Sequence, residues 1–436
     1  MSNEENENVC RAESTPARAL VWITLAFFGG FAGVSAFGPI VTRLRESMEI
    51  SPLLMGLLAA SPALTGSLLR IPFGAMVDRT GGKKPILILL ALAFSGIAGI
   101  TLMFGITEAP TVDEYPLFLL FGILCGSGIA VFSVGIPSVS YWYPQKKQGT
   151  ALAMYAGLGN LAPGMFALLL PFLVEVMGFT SSYVLWSGLL LVLFGLIFFF
   201  MKDAPYFQYR KLGLELDKDA LLLACGQELF PSGRALDSLK QAAANWRTWV
   251  LTYFYFVTFG GFIALTVWFP TYWGELFGLS LVAAGGLTAL YSLSASLLRV
   301  LGGQLSDRFG GEKMVLGSFL VTGTGAVFLF LTTASVASAL LGEVLMALGM
   351  GFANAAVFKL VPQYTPTAVG GAAGIVGGLG AFGGFAIPPL MGLFVEVSGP
   401  VGYSLGFAVF VGLSLLALIL FAVLSRHRPV PTAQGG

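Results

Sequence analysis

The chain has 436 residues, of which 56% are hydrophobic and 10% charged, with a formal net charge of +1. Soluble domains carry about 25% charged residues, so this composition excludes an ordinary soluble globule. The net charge points to no particular partner, and no nucleic-acid partner is expected. There is one histidine, His427, and the three cysteines, Cys10, Cys125 and Cys225, lack metal-ligating or redox spacing. No zinc site, Ser-His-Asp triad, P-loop or cofactor motif can be assembled from this inventory, so an enzyme is not expected.

The polar, acidic start "MSNEENENVCRAESTPAR" lacks the basic region and short apolar core of a cleavable signal. Twelve apolar segments follow, each long enough to cross about 30 Å of hydrocarbon. They lie at 19–42, 52–77, 85–106, 115–141, 148–176, 182–201, 248–273, 281–306, 314–333, 335–362, 369–397 and 401–424. The expected fold class is an all-α polytopic membrane protein. Its division is a tail at 1–18, a six-helix bundle at 19–203, a linker at 204–247, a second six-helix bundle at 248–425 and a tail at 426–436. The linker, with its mixed charge, reads as one or two surface helices. Placing both termini inside puts 18 of the 23 Lys and Arg on the cytoplasmic side and leaves Arg43 and Arg45 outside. That bias orients the chain in a cytoplasmic membrane. Arg70, Arg299 and Lys359 fall within spans.

The second span carries "SLLRIPFGAMVDRTGGKK" (67–84), and the eighth repeats it as "SLLRVLGGQLSDRFGGEK" (296–313), with ten of eighteen positions identical. The fifth and eleventh spans echo each other as "AGLGNLAPG" (156–164) and "GGLGAFGGF" (377–385), and the fourth and tenth as "AVFSV" (130–134) and "AVFKL" (356–360). Two repeats of six spans are the mark of a large transporter architecture.

In each repeat the arginine precedes the loop aspartate by eight residues. Eight residues of helix rise about 12 Å, too far for a side chain to snorkel to the interface. A charge at that depth is costly unless it faces water or a counter-ion. The carboxylates Glu175, Glu396 and Glu343 lie in the outer parts of their spans, and Asp78, Arg79, Asp307 and Arg308 belong to the loops. The missing anion is therefore read as the substrate, held by Arg70 and Arg299 at equivalent positions of the two halves. The planar guanidinium fork suits a planar oxyanion. The glycines Gly157, Gly159, Gly164, Gly378, Gly380 and Gly383 are expected to let helices pack closely and to serve gating.

"GAMVDRTGGKK" (74–84) and its weaker copy "GQLSDRFGGEK" (303–313) resemble the loop signature of the major facilitator superfamily. Together with "YPQKKQGTALAMYAGLGNLAPG" (143–164) and "GGAAGIVGGLGAFGGFAIPP" (370–389), they resemble the nitrate/nitrite porter family within it. The resemblance implies the major facilitator fold, with twelve transmembrane helices in two pseudo-symmetric six-helix bundles. It further implies a monomer in the lipid bilayer that moves nitrate or nitrite and uses no cofactor or metal. By residue, it implies that Arg70 and Arg299 grip the anion, that Phe132, Tyr255 and Phe259 wall the site, and that Asn160 is a polar contact.

Lys359 follows Phe358, the repeat partner of Phe132. A lysine sharing a cavity with two arginines would offer a proton site, because an arriving anion favours proton binding there. Nitrate/H+ symport is the resulting expectation, with Lys359 as the titrating group and Glu343 as the second candidate. Nitrate/nitrite antiport, exchange of a small carboxylate such as oxalate or formate, and a non-transporting anion sensor are the alternatives.

Overall fold

The computed structural model describes residues 13–107, 110–213, 221–222, 225–231, 235–366 and 368–427. Cys10, Arg11, Lys218, Arg234 and Arg428 lie outside the described residues. The principal helices are α1 (Pro16–Phe31), α2 (Val41–Met48), α3 (Pro52–Leu68), α4 (Arg70–Thr80), α5 (Lys83–Ile106), α6 (Tyr115–Gly126), α7 (Val131–Ser140), α8 (Gln145–Gly159), α9 (Ala162–Phe200) and α10 (Pro205–Lys211). They continue as α11 (Ala235–Ala243), α12 (Trp246–Tyr255), α13 (Gly261–Thr271), α14 (Leu281–Phe309), α15 (Gly311–Leu331), α16 (Val336–Tyr364), α17 (Val369–Ala381), α18 (Gly383–Ser398) and α19 (Ala408–Arg426).

Helices are the form that apolar segments of this length must take in lipid, where every backbone polar group needs an internal partner. Eleven helical stretches among the described residues are long and apolar enough to cross a membrane. One of them, Gln145–Phe200, covers both the fifth and the sixth expected spans. It breaks at Gly178, whose φ of 80° and ψ of 169° no L side chain adopts easily. Leu189, Val192, Phe199 and Leu415 are more than half exposed. Outward-facing apolar side chains of this kind suit lipid rather than water. The chain is a multi-pass membrane protein.

Contacts divide the chain into two compact units. The first comprises Met1–Ile50 and Ser61–Ala235, and the second Ser51–Ala60 and Leu236–Gly436. In the first unit α1 packs on α7, α8 and α9, α5 on α6 and α9, and α4 on α7. Cys125 is a buried core residue beside Gly33. In the second unit α16 packs on α14 and α15, α12 on α17, α13 on α18, and α15 on α19.

Polar side chains fix the ends of the helices. Thr15 caps α1 and Asn245 caps α12, each accepting from a backbone amide of the first turn. A residue distant in sequence caps α5: buried Asp203 accepts from the Lys83 amide at 2.8 Å and from the Lys211 ammonium at 2.7 Å. Nearby, Glu13 lies 2.6 Å from Lys202, and that ammonium holds its carboxyl below the usual range. In the linker, the amide of Gly371 at the start of α17 donates to the Ser238 hydroxyl of α11 at 2.9 Å.

Candidate anion site

In each unit the arginine of the repeated motif lies over an aromatic ring. In the first unit Leu69 keeps helical φ and ψ of −71° and −14° between α3 and α4, and Arg70 opens α4. Pro72 withdraws an amide donor two residues later. The Arg70 side chain is 1% exposed. Its Nε donates back to the Gly66 carbonyl at 3.1 Å, and its Cζ sits 4.9 Å from the centre of the Phe132 ring. Phe132 belongs to a cluster with Phe27 (centroids 5.3 Å apart) and Tyr155 (6.2 Å, near parallel). The Tyr155 hydroxyl donates to the carbonyls of Val131 and Phe132 at 2.9 and 3.0 Å, which locks the cluster to α7.

In the second unit the half-buried Arg299 of α14 has its Cζ 5.6 Å from the centre of the Phe259 ring. Tyr255 stacks on Phe259 at 4.9 Å with an interplanar angle of 7°. Phe358 of α16 meets Tyr255 edge-on at 4.9 Å. Phe259 lies in a π-helical turn, Phe256–Gly260, immediately after α12. Such single π turns are rare and concentrate at functional positions. The Tyr255 hydroxyl is buried and has no hydrogen-bond partner among the described residues.

The glycine-rich helices serve these rings. A Cβ built on Gly159 would fall 1.9 Å from a Phe27 ring carbon, and one on Gly380 would fall 2.8 Å from Tyr255. Gly135 is similarly filled by the Tyr155 ring. At Gly383 an added Cβ would meet the Phe256 carbonyl oxygen and the Gly260 backbone. Gly164 and Gly378 are buried and Gly157 is half-buried. Asn160 is buried where α8 ends, and α9 begins two residues on.

A guanidinium held over a ring gains about 0.5–2 kcal/mol from the π face. A guanidinium fork is also the geometry that meets a planar oxyanion bidentately. Arg70 and Phe132 thus come together in the first unit, and Arg299, Phe259 and Tyr255 in the second. Phe27 and Tyr155 join them without having been singled out. An offset of 228 residues, close to the 229 of the arginine motif, links Phe27 to Tyr255 and was the available signal.

Lys359 is placed elsewhere. Its Nζ lies 2.6 Å from the Asp307 carboxylate and 2.6 Å from the Ser306 carbonyl. Asp307 follows Arg299 on α14 by eight residues, about 12 Å of rise. The ammonium therefore belongs to the loop motif rather than to the ring cluster. Asp78, the counterpart of Asp307, accepts from the Tyr141 hydroxyl at 2.5 Å, and Arg79 offers its carbonyl to Arg210. Arg308 lies over Phe309. Glu343 is fully buried on α16 and accepts from the Trp273 indole at 2.7 Å.

The family model of the Major Facilitator Superfamily matches residues 23–342 and 277–436. Among curated proteins, the chain is 33% identical to "Probable nitrate/nitrite antiporter NarK1" of Thermus thermophilus, over 85% of this chain and 84% of that protein. It is 29% identical to "Probable nitrate/nitrite transporter NarK2" of Mycobacterium tuberculosis (93% and 95%) and 27% identical to "Nitrite extrusion protein" of Bacillus subtilis (91% and 91%). Among solved structures, the xylose transporter XylE from E. coli superposes with a TM-score of 0.72 at 16% identity, covering 97% of this chain and 99% of that one. That likeness concerns the fold alone. A superfamily match spanning nearly the whole chain, and a relative above 30% identity over 85% of it, lead to one assignment: the chain belongs to the nitrate/nitrite porter family of the major facilitator superfamily.

Proposed function

We propose that this protein carries nitrate, and with it nitrite, across the cytoplasmic membrane by alternating access, with both termini in the cytoplasm and a proton accompanying the anion inward. The observation that carries the reading is the duplicated arrangement of an arginine over a ring, Arg70 on Phe132 and Arg299 on Phe259. In this reading a guanidinium group bonds the edge oxygens of a flat, weakly hydrated anion, and the aromatic faces bracket its plane. The Tyr255 hydroxyl supplies a further donor. Asp78 and Asp307 hold the loop motifs that the two halves need in order to rock. The printed names of the relatives support the substrate class.

Obligatory exchange of nitrate for nitrite is the second reading, favoured by the name of the Thermus relative. Reconstitution in nitrite-free vesicles carrying a trapped pH dye separates the two. Nitrate entry with internal acidification beyond the leak supports symport. Entry only after the vesicles are preloaded with nitrite supports exchange. Competition by formate or oxalate at the level of nitrite would overturn the assignment to nitrate.

A further inference from the structure

Resting on the symport reading, we infer that Glu343 is the residue that binds the co-transported proton, in a site of its own that is linked to the Arg299 half-site by a continuous run of aromatic rings. The carboxyl is fully buried in the second unit, seven residues into α16. One oxygen accepts from the Trp273 indole at 2.7 Å, and the other has no partner among the described residues. No cation forms an ion pair with it among the described residues. A carboxylate enclosed in this way, without a cation, is strongly penalised. A bound proton removes the charge and supplies a donor.

The titratable groups facing the carboxyl are Tyr291 of α14 and Tyr272, which adjoins Trp273. Glu275 lies in the same turn as Tyr272, and Arg299 lies eight residues beyond Tyr291 on α14. The titratable side chains of α15 are Glu312 and Lys313, at its start. Glu312 accepts from Tyr364, at the opposite end of α16 from Glu343.

Geometry ties this carboxyl to the anion half-site. Trp273 sits in a second π-helical turn, Tyr272–Leu276, on the same transmembrane span as the π turn that carries Phe259. From Phe259 the rings run to Phe262 (5.9 Å), to Tyr291 (6.0 Å), to Phe269 (5.0 Å), to Tyr272 (5.8 Å) and to Trp273 (5.1 Å). Each step is a ring contact, and in the proposed coupling a shift of Phe259 under Arg299 passes along this run to the indole that bonds Glu343. By contrast, Lys359 stands sixteen residues away on α16, about 24 Å along the axis, and is occupied by Asp307. In the proposed cycle the carboxylate takes one proton from water on the loading side, remains neutral while enclosed, and returns the proton to water on the other side.

The test compares wild type with Glu343→Gln in vesicles free of nitrite. Glutamine keeps an acceptor for the Trp273 indole but takes up no proton. At equal pH with nitrate on both sides, exchange of labelled nitrate is expected in both proteins. Under an inward proton gradient, nitrate-driven acidification is expected in wild type and at least tenfold less in the variant. Wild-type acidification per nitrate in Glu343→Gln would overturn the inference. A wild type that exchanges nitrate without acidification would overturn it too, while leaving anion transport standing. A wild type that moves no nitrate in either assay would defeat the transport reading itself, and the inference with it. Should glutamine disturb packing, infrared difference spectra of wild type on adding nitrate supply a second readout. A carboxylic-acid carbonyl band that responds to nitrate and shifts in Trp273→Phe is expected, and its absence would overturn the proposal.

Discussion

The ring of Phe27 fills the space that a side chain at Gly159 would need, since a Cβ there would fall 1.9 Å from the ring. Tyr255 relates to Gly380 in the same way, at 2.8 Å, and residues 159 and 380 are equivalent in the repeat. Each contact is to the rigid body of an aromatic residue, so an added methyl must displace it. Gly159→Ala and Gly380→Ala are expected to move Phe27 and Tyr255 and to raise the half-saturating nitrate concentration at least tenfold in labelled-nitrate uptake. Gly149→Ala is the control, because nothing lies within 4 Å of its added Cβ, and uptake should be unchanged.

Arg70→Lys and Arg299→Lys test whether the fork, rather than the charge, binds the anion. Lysine keeps one positive charge but loses the planar pair of donors and stacks poorly on a ring. A charge-assisted hydrogen bond is worth about 1.5–3 kcal/mol, so each lysine variant should lose roughly 10–100-fold in apparent nitrate affinity. Wild-type affinity in both would remove the arginines from the site.

Much of this arrangement was legible because the chain repeats itself. The arginine motif at 67–84 and 296–313 fixed Arg70 and Arg299, and the glycine signatures marked the helices against which the rings sit. Phe27 was legible only through its repeat offset to Tyr255, and Tyr155 and Trp273 were not legible, because 13% of the chain is aromatic and a ring's neighbours depend on how helices rotate against one another. Lys359 shows the same limit along the axis. Its depth in α16 could be counted, but its level against Asp307 depends on where α14 ends, at Phe309, and on which helix faces it. The break at Gly178 was legible as the gap between expected spans at 176 and 182, because a glycine there accepts a backbone that other residues avoid.

Lys359→Ala should separate the two proton candidates. The ion pair with Asp307 is partly open to solvent, with side-chain exposures of 28% and 79%. Such pairs contribute about 0–1 kcal/mol, so thermal stability in detergent should change little. Nitrate-driven acidification is expected to persist, in contrast to Glu343→Gln. A variant that moves nitrate but no longer acidifies the vesicle would return the proton to Lys359.

Asp203 is a stability determinant remote from the anion. It is 5% exposed, caps α5 through the Lys83 amide and accepts from Lys211, and it lies against Gly81, whose φ is 79°. Removing it leaves the Lys83 amide, at a partly buried helix end, without this acceptor. Loss of a cap with charge-assisted bonds costs about 1–3 kcal/mol, and the Lys211 contribution is discounted because that side chain is 61% exposed. Asp203→Ala should lower the Tm by several degrees while leaving the nitrate affinity of the folded fraction unchanged. An unaltered melting curve would show that water replaces the cap.

Tyr255→Phe gives the sharpest separation of binding from folding. The hydroxyl is fully buried, without a protein partner among the described residues, in a ring that otherwise packs against Phe259 and Phe358. Burying a hydroxyl without a hydrogen bond is unfavourable, so its deletion should leave the Tm unchanged or raise it. If the hydroxyl donates to the anion, the same deletion removes one bond worth about 1.5 kcal/mol, roughly a tenfold loss of nitrate affinity. Stability and affinity are thus expected to move in opposite directions, which a purely structural tyrosine would not produce. Paired thermal-unfolding and nitrate-titration curves on the same preparation decide the matter. A fall in both would assign the hydroxyl to the fold, and a fall in neither would leave Arg299 and the ring faces as the whole of this half-site.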